Sequence, residues 1–183
     1  MDWNSEESQE LRFEQLLRVV DRERGPFTMN DFGSGYGALV PYLERRGLDV
    51  AYRGFDVSES MLEHARGEHE DPPRVTFVGS LGELSAADYT VASGIFNVKL
   101  EVPAEHWREY VLETLETLAG LSTRGFAFNM LTSYSDADKM RSDLYYGDPA
   151  FFFDHAKRGY SRNVALLHDY GLYEFTMIVR LGE

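Results

Sequence analysis

The sequence predicts an α/β chain built on a doubly wound, mostly parallel sheet of seven strands, with helices on both faces and an antiparallel hairpin at its end. Three observations predict it. Short apolar runs with strand character alternate with stretches of helical periodicity through five strands. The first strand passes directly into a turn with glycines at 33, 35 and 37, and an acidic residue, Asp56, closes the second strand. With 183 residues and 43% hydrophobic content, the chain has enough for one core and no room for a second, so one domain over 1–183 is expected.

Residues 5–21 place Leu11, Phe13, Leu16, Leu17 and Val20 at helical spacing among charged residues, and Gly25-Pro26 ends that first helix. Residues 26–32 form a short strand, the glycines interrupt it, and 38–46 resume a helical pattern that Gly47 stops. Residues 50–55 alternate as the second strand, and Ser58 is placed to cap a helix running through Met61, Leu62 and Ala65 to Gly67. Asp71-Pro72-Pro73 is a turn. The third strand is read over 74–78 and the fourth over 89–93, the latter short and largely apolar as expected for a strand buried on both faces. A helix opens at Val102-Pro103-Ala104, carries Trp107, Tyr110, Val111, Leu115 and Leu118 on one stripe and ends at Gly120, before a fifth strand at 125–131. Residues 132–160 break the alternation as an excursion rich in Asp, Ser, Tyr and Phe, with a helix expected over 149–157. Strands at 162–167 and 172–181 then flank His168-Asp169-Tyr170-Gly171 as a hairpin.

Charge and composition narrow the function. A net charge of -13 opposes nucleic acid and anionic membrane as partners, since phosphate surfaces are bound by clustered Lys and Arg. The absence of cysteine removes disulfides, thiolate metal sites and a Cys nucleophile, which suits a reducing cytoplasm. Residues 1–10 are acidic and lack a leader pattern, and no stretch approaches the ~18 apolar residues of a membrane span, so a soluble cytoplasmic protein is expected. Nothing in the sequence sets an oligomeric state.

The turn Asn30-Asp31-Phe32-Gly33-Ser34-Gly35-Tyr36-Gly37 joins strand to helix, where bare backbone and helix N-terminal N–H groups face a ligand. Asp56 stands where a carboxylate accepts hydrogen bonds from two ribose hydroxyls, so the partner is a nucleoside. Residues 33–38 also fit the dinucleotide pattern G-x-G-x-x-G/A, and the turn alone leaves both cofactor types open.

Asp31-x-Gly33-x-Gly35-x-Gly37 resembles the first motif of the class I S-adenosylmethionine (SAM)-dependent methyltransferases, and residues 54–62, Gly-Phe-Asp-Val-Ser-Glu-Ser-Met-Leu, resemble their second. The likeness extends to residues 79–84, the family's adenine-contact region, to 88–97 at the methionine end of the cofactor, and to the antiparallel last strand. It implies a Rossmann-like class I methyltransferase fold with SAM at the carboxyl ends of the early strands, converted to S-adenosyl-L-homocysteine. Asp31 would orient the methionine amino group; Gly33, Ser34, Gly35 and Gly37 would line the methionine and ribose; Asp56 would hold the ribose hydroxyls. Adenine would lie between Val57 and Leu81, near Met61, with Ser93 and Gly94 at the methionine end. Many relatives carry an acid where this chain has Ser80, so Ser80 or backbone carbonyls are expected to hold the adenine amino group.

For the acceptor, His155 is the first-ranked acid or base, followed by His106 and His168. Tyr134, Tyr145, Tyr146, Phe151, Phe152 and Phe153 crowd the excursion and suggest an aromatic-walled pocket, with Tyr134, Tyr146 and Phe152 as its lining. Aromatic walls and acidic charge suit an amine or other cation. Residues 93–98, Ser-Gly-Ile-Phe-Asn-Val, lack the Asn/Asp-Pro-Pro-Tyr pattern of enzymes that methylate amino groups of bases or glutamine. No metal is expected, because Asp154-His155 and His168-Asp169 are adjacent pairs without a third ligand. The first helix, with Trp3, Arg12 and Phe13, is a candidate lid. The expected function is methyl transfer to a small-molecule acceptor. The alternatives are a non-catalytic SAM-binding or partner-binding protein and an NAD(P)-dependent oxidoreductase.

Overall fold

The computed structural model describes residues 5–182. Its elements run α1 (Glu6–Leu16), β1 (Phe27–Phe32), α2 (Leu39–Arg45), β2 (Val50–Phe55), α3 (Glu59–His69), β3 (Val75–Val78), β4 (Ala87–Ala92), α4 (Ala104–Gly120), β5 (Ser122–Leu131), α5 (Pro149–Gly159), β6 (Asn163–Leu167) and β7 (Glu174–Arg180). The seven strands lie in the order β3-β2-β1-β4-β5-β7-β6, parallel from β3 to β5, with β7 antiparallel to both of its neighbours. The expected fold class is therefore present, and the hairpin folds back so that β7 inserts between β5 and β6.

Period-two alternation assigns the two faces of the central strands. Phe126, Phe128 and Met130 of β5 join the core under α4 and α5, together with Phe96, Leu115, Phe152 and Phe175. Ala127 faces the other way, into the core that α1, α2 and α3 build with Met29, Tyr52, Leu62 and Val91. Helices thus cover both faces, but unequally. Residues 79–86 between β3 and β4 hold only a single 3-10 turn, Leu81–Glu83, closed by a capping box between Ser80 and Glu83. Eight residues cannot make a crossover helix, so Thr28 and Ala51, which alternate with Met29 and Tyr52, remain exposed on the α4–α5 side of the sheet.

The first helix is docked along its length. Its hydroxyl cap is Ser5, and Phe13 and Leu16 enter the core; a 3-10 turn at Leu17–Val19 ends it earlier than residue 21. Arg12 Nε donates to both carboxylate oxygens of Glu174 at 2.8 and 2.9 Å, joining α1 to the start of β7 with both side chains nearly excluded from water. At its outer rim Glu10 pairs with Arg45, and Gln9 donates to the Tyr36 hydroxyl at 3.2 Å. Arg12 and Phe13 therefore belong to a packed element, while Trp3 lies outside the described residues.

Burial raises the Glu174 carboxyl above the usual range, and the Arg12 guanidinium opposes that rise. A carboxyl whose folded pKa is raised contributes stability at low pH that is lost as pH climbs through that pKa. Removing Arg12 takes away the opposing charge and leaves a buried anion alone, a change that costs about 3–5 kcal/mol in comparable pairs. Arg12→Met should lower the thermal midpoint more at about pH 8 than at about pH 5. Equal losses at both pH values, measured by circular dichroism melts, would contradict a functioning buried ion pair.

Candidate functional site

The turn after β1 is shaped by what each glycine meets. Gly33 has φ 83° and its amide packs so closely that a Cβ there would stand 2.3 Å from Ile95 Cγ2. Only glycine fits both demands. A Cβ on Gly37 would press on His69 and Phe77, whereas Gly35, at φ 54°, meets nothing within 4 Å and looks onto open space. The turn is latched to the next strand, because the N–H groups of Gly33 and Ser34 both donate to the Phe55 carbonyl at 2.8 and 2.9 Å. Asp56 completes the latch: Oδ2 accepts from Gly35 N–H at 2.8 Å and Oδ1 from Ser58 N–H at 2.9 Å. Ser58 sits at the cap position of α3 as expected, but its hydroxyl faces Ser60 Oγ instead of the helix N–H groups.

Around this corner the side chains are apolar and uncovered. Val57 is 86% exposed, and Met61, Leu81 and Tyr36 are close to half exposed. Ser80 accepts from Gly82 N–H while its own N–H donates to Glu83, so its polar groups are engaged in closing the 3-10 turn.

Asp31 is 4% exposed and accepts the Tyr52 hydroxyl at 2.7 Å. Desolvation raises its pKa to about 7, with the Tyr52 hydrogen bond acting against the rise and the charge of Asp56 adding to it. Beside it, the loop after β4 is braced to β5 by two buried amides. Asn129 Oδ1 accepts from Gly94 N–H at 2.7 Å, and Asn97 Oδ1 accepts from Leu131 N–H at 3.0 Å. The Asn129 Nδ2 is buried without a hydrogen-bond partner, and Ser93 and Gly94 are half-buried at the carboxyl end of β4. The strand register thus gathers Asp31, residues 33–37, Asp56, Ser80, Leu81, Ser93 and Gly94 along the carboxyl ends of neighbouring strands β1 to β4.

The acceptor candidates are dispersed. His155 lies on α5 with Nε2 3.2 Å from the Tyr160 hydroxyl, its ring stacked on Phe151, and Tyr160 donates to Glu116 of α4. These partners all belong to the α4–α5 layer and none to the turn at 33–37. Phe152 is wholly buried against Phe128 and Phe175, and Tyr145 is also core. Tyr146 accepts from Arg141 N–H and lines a cleft of about 260 Å³ between α4 and α5 that contains Arg108 and Phe151. Tyr134 stands apart, 71% exposed, with its ring 5.9 Å from that of His168. His106 and His168 are exposed. Tyr146 and Phe152 thus line one cleft between α4 and α5 together with Tyr145 and Phe151, and Tyr134 is not part of it.

Tyr52, Asn97 and Asn129 were not singled out from the sequence. Only alternation hinted at Tyr52 and Asn129, as polar groups on the inward face of strands, and nothing local marked Asn97 in the loop after β4. A cleft of about 720 Å³ lies between α1, α2 and α3 beside Phe13, Tyr42, His64 and His69. It reaches the turn through Tyr36 and does not include Asp56. Among the described residues no three His, Asp or Glu side chains converge as a metal site, and no helix is long and apolar enough to cross a membrane.

Comparison with known proteins places this geometry. Residues 30–113 match the family model described as a methyltransferase domain. Rv1506c of Mycobacterium tuberculosis, a protein named as a methyltransferase, is 53% identical over 164 residues, covering 90% of this chain and 98% of its own. Among solved structures, the magnesium protoporphyrin IX methyltransferase of Synechocystis with bound SAM superposes with a TM-score of 0.64 at 17% identity, over 95% of this chain and 79% of that one. Human N-acetylserotonin methyltransferase in complex with SAM gives 0.63 at 16% identity, over 97% of this chain and 55% of its own. These two similarities speak for the fold.

The buried Asp31 yields a test that needs no ligand. Its pKa near 7 lies above the ordinary carboxylate value, so the folded protein loses stability as pH rises and Asp31 ionises without a cation beside it. The melting advantage of Asp31→Asn over wild type should be larger at about pH 8.5, where the buried charge is removed, than at about pH 5. An identical melting difference at both pH values would show that Asp31 does not titrate as described.

Proposed function

Taking as premise that the chain belongs to the methyltransferase-domain family, we propose that it transfers a methyl group from SAM to a small-molecule acceptor. One observation carries the reading: the corner at Gly35 and Asp56 is open, anionic and flanked by exposed Val57 and Leu81. A carboxylate offers about four acceptor positions, and Asp56 uses two on Gly35 and Ser58 N–H groups, which leaves two for a ribose diol. Val57 and Leu81 are apolar surfaces without cover, suited to the two faces of a purine.

The amino-acid end of SAM fits Asp31. A ligand ammonium near this carboxyl would draw its proton off and pair with the resulting anion, relieving the cost of burial. Gly33 and Gly35 keep side chains out of the ligand's path, and Gly94, held by Asn129, does the same at the end of β4. When bound, SAM supplies an electrophilic methyl on a sulfonium, so the protein's part is to align an electron-rich acceptor atom in line with it. His155 has no part in this reading, because its contacts lie in the α4–α5 layer. The net charge of -13 supports this acceptor class to the extent that it opposes a polyanionic substrate.

Asp56→Ala should weaken SAM binding at least tenfold, about 1.4 kcal/mol, in isothermal calorimetry while leaving far-ultraviolet circular dichroism unchanged. Wild-type protein should show no heat with NADH. An Asp56→Ala protein that binds SAM as tightly as wild type would remove the assigned role.

A further inference from the structure

The contact between Tyr52 and Asp31 crosses two strands and depends on a gap. Tyr52 is paired with Met29 and Asp31 with Gly54, so the tyrosine reaches diagonally, two residues along the neighbouring strand on the same face. Gly54, opposite Asp31, puts no side chain in the way. A Cβ there would lie 2.6 Å from the Phe77 ring and 2.8 Å from Ser34 Oγ. Phe77 in turn packs edge-on against the Tyr52 ring, with 5.7 Å between centroids. The tyrosine is thereby held with its hydroxyl on Asp31 Oδ2 at 2.7 Å. Asp31 Oδ1 accepts no hydrogen bond among the described residues.

A buried tyrosine hydroxyl needs an acceptor, which a backbone carbonyl could supply. Here the acceptor is the carboxyl that would meet the cofactor's ammonium. Burial and the charge of Asp31 push the Tyr52 hydroxyl well above its ordinary pKa, so it stays a donor whatever the state of Asp31. A hydrogen bond donated to a carboxylate favours the ionised form, and here it works against desolvation and against the charge of Asp56. The strand partners of Asp31, Gly54 and Val91, carry no charge. No charged side chain of the described helices acts on it. Tyr52 is therefore the one group that favours the anion.

We infer that Tyr52 is a positioning residue for the cofactor: it holds one oxygen of Asp31, leaves the other for the ligand's ammonium and favours the anion that pairs with it. The inference rests on the proposed SAM site and adds to it a selection by the ligand's amino group. Asp31, with its pKa at about 7, must ionise to form that pair, so affinity for an ammonium-bearing ligand rises with pH as the carboxyl loses its proton. Without the Tyr52 hydroxyl that rise moves to higher pH. A ligand that lacks the amino group feels neither effect.

The test titrates the full-length wild type and Tyr52→Phe calorimetrically at about pH 6 and about pH 8. Two ligands are compared: S-adenosylhomocysteine, which keeps the amino-acid end, and methylthioadenosine, which lacks it. Wild type should bind S-adenosylhomocysteine more tightly at the higher pH. Tyr52→Phe should bind it about tenfold more weakly at the lower pH, with a smaller loss at the higher, and should bind methylthioadenosine as wild type does. In an Asp31→Asn background the same substitution should change S-adenosylhomocysteine affinity less than about twofold. The inference is overturned if Tyr52→Phe binds both ligands as wild type does, and equally if it loses both alike, because Tyr52 then serves the fold and not the carboxyl. A loss of S-adenosylhomocysteine binding that persists undiminished in the Asp31→Asn background overturns it too. Wild type that binds neither ligand strikes the cofactor reading itself, and the inference with it.

Discussion

The carboxylate of Asp56 holds three elements at one point, taking the N–H of Gly35 from the turn after β1 and the N–H of Ser58 from the start of α3 while itself ending β2. Nearby, the Phe55 carbonyl takes the N–H groups of Gly33 and Ser34. A glycine-rich turn is entropically expensive to order, and the three bonds it makes to Phe55 and Asp56 order it without filling it. The open space at Gly35 exists because the turn is restrained from β2 and not from above.

A second theme is the concentration of buried polar groups along the carboxyl edge. Asp31 with Tyr52, Asn129 with Gly94, and Arg12 with Glu174 all take polar or charged side chains out of water, a cost that only their partners offset. They differ in what they do there. The Arg12–Glu174 pair is satisfied within the chain and fixes α1 to β7. Asp31 and the Asn129 amide are incompletely satisfied, and such groups lie near the place where the fold receives a charged, polar ligand. Stability is thus lower at the site and is made up by two apolar cores on either side of the sheet.

How much of this was legible in the sequence depends on whether the signal was local. Periodicity and glycine placement located every strand to within about three residues. β4 and β5 begin earlier than expected because Ala87 pairs with Ser122, a match between residues without strand character of their own. Asp56 was legible because it follows a strand and precedes a helix cap. The aromatic excursion was only half legible: its aromatics were read as a pocket, and Phe152 of α5 and Tyr145 before it are buried in the core. The roles of Tyr52 and Asn129 were not legible, since cross-strand register leaves no local pattern.

The account turns on where SAM sits, and two places compete on geometry alone: the open strand ends at Asp56 and the larger cleft between α1, α2 and α3. Hydrogen–deuterium exchange of the backbone with and without SAM separates them. Slowed exchange at residues 33–37, 56–61 and 93–95, with 6–13 and 64–69 unchanged, is the expected footprint. Slowing confined to 6–13 and 64–69 would move the ligand into the cleft and contradict the site described.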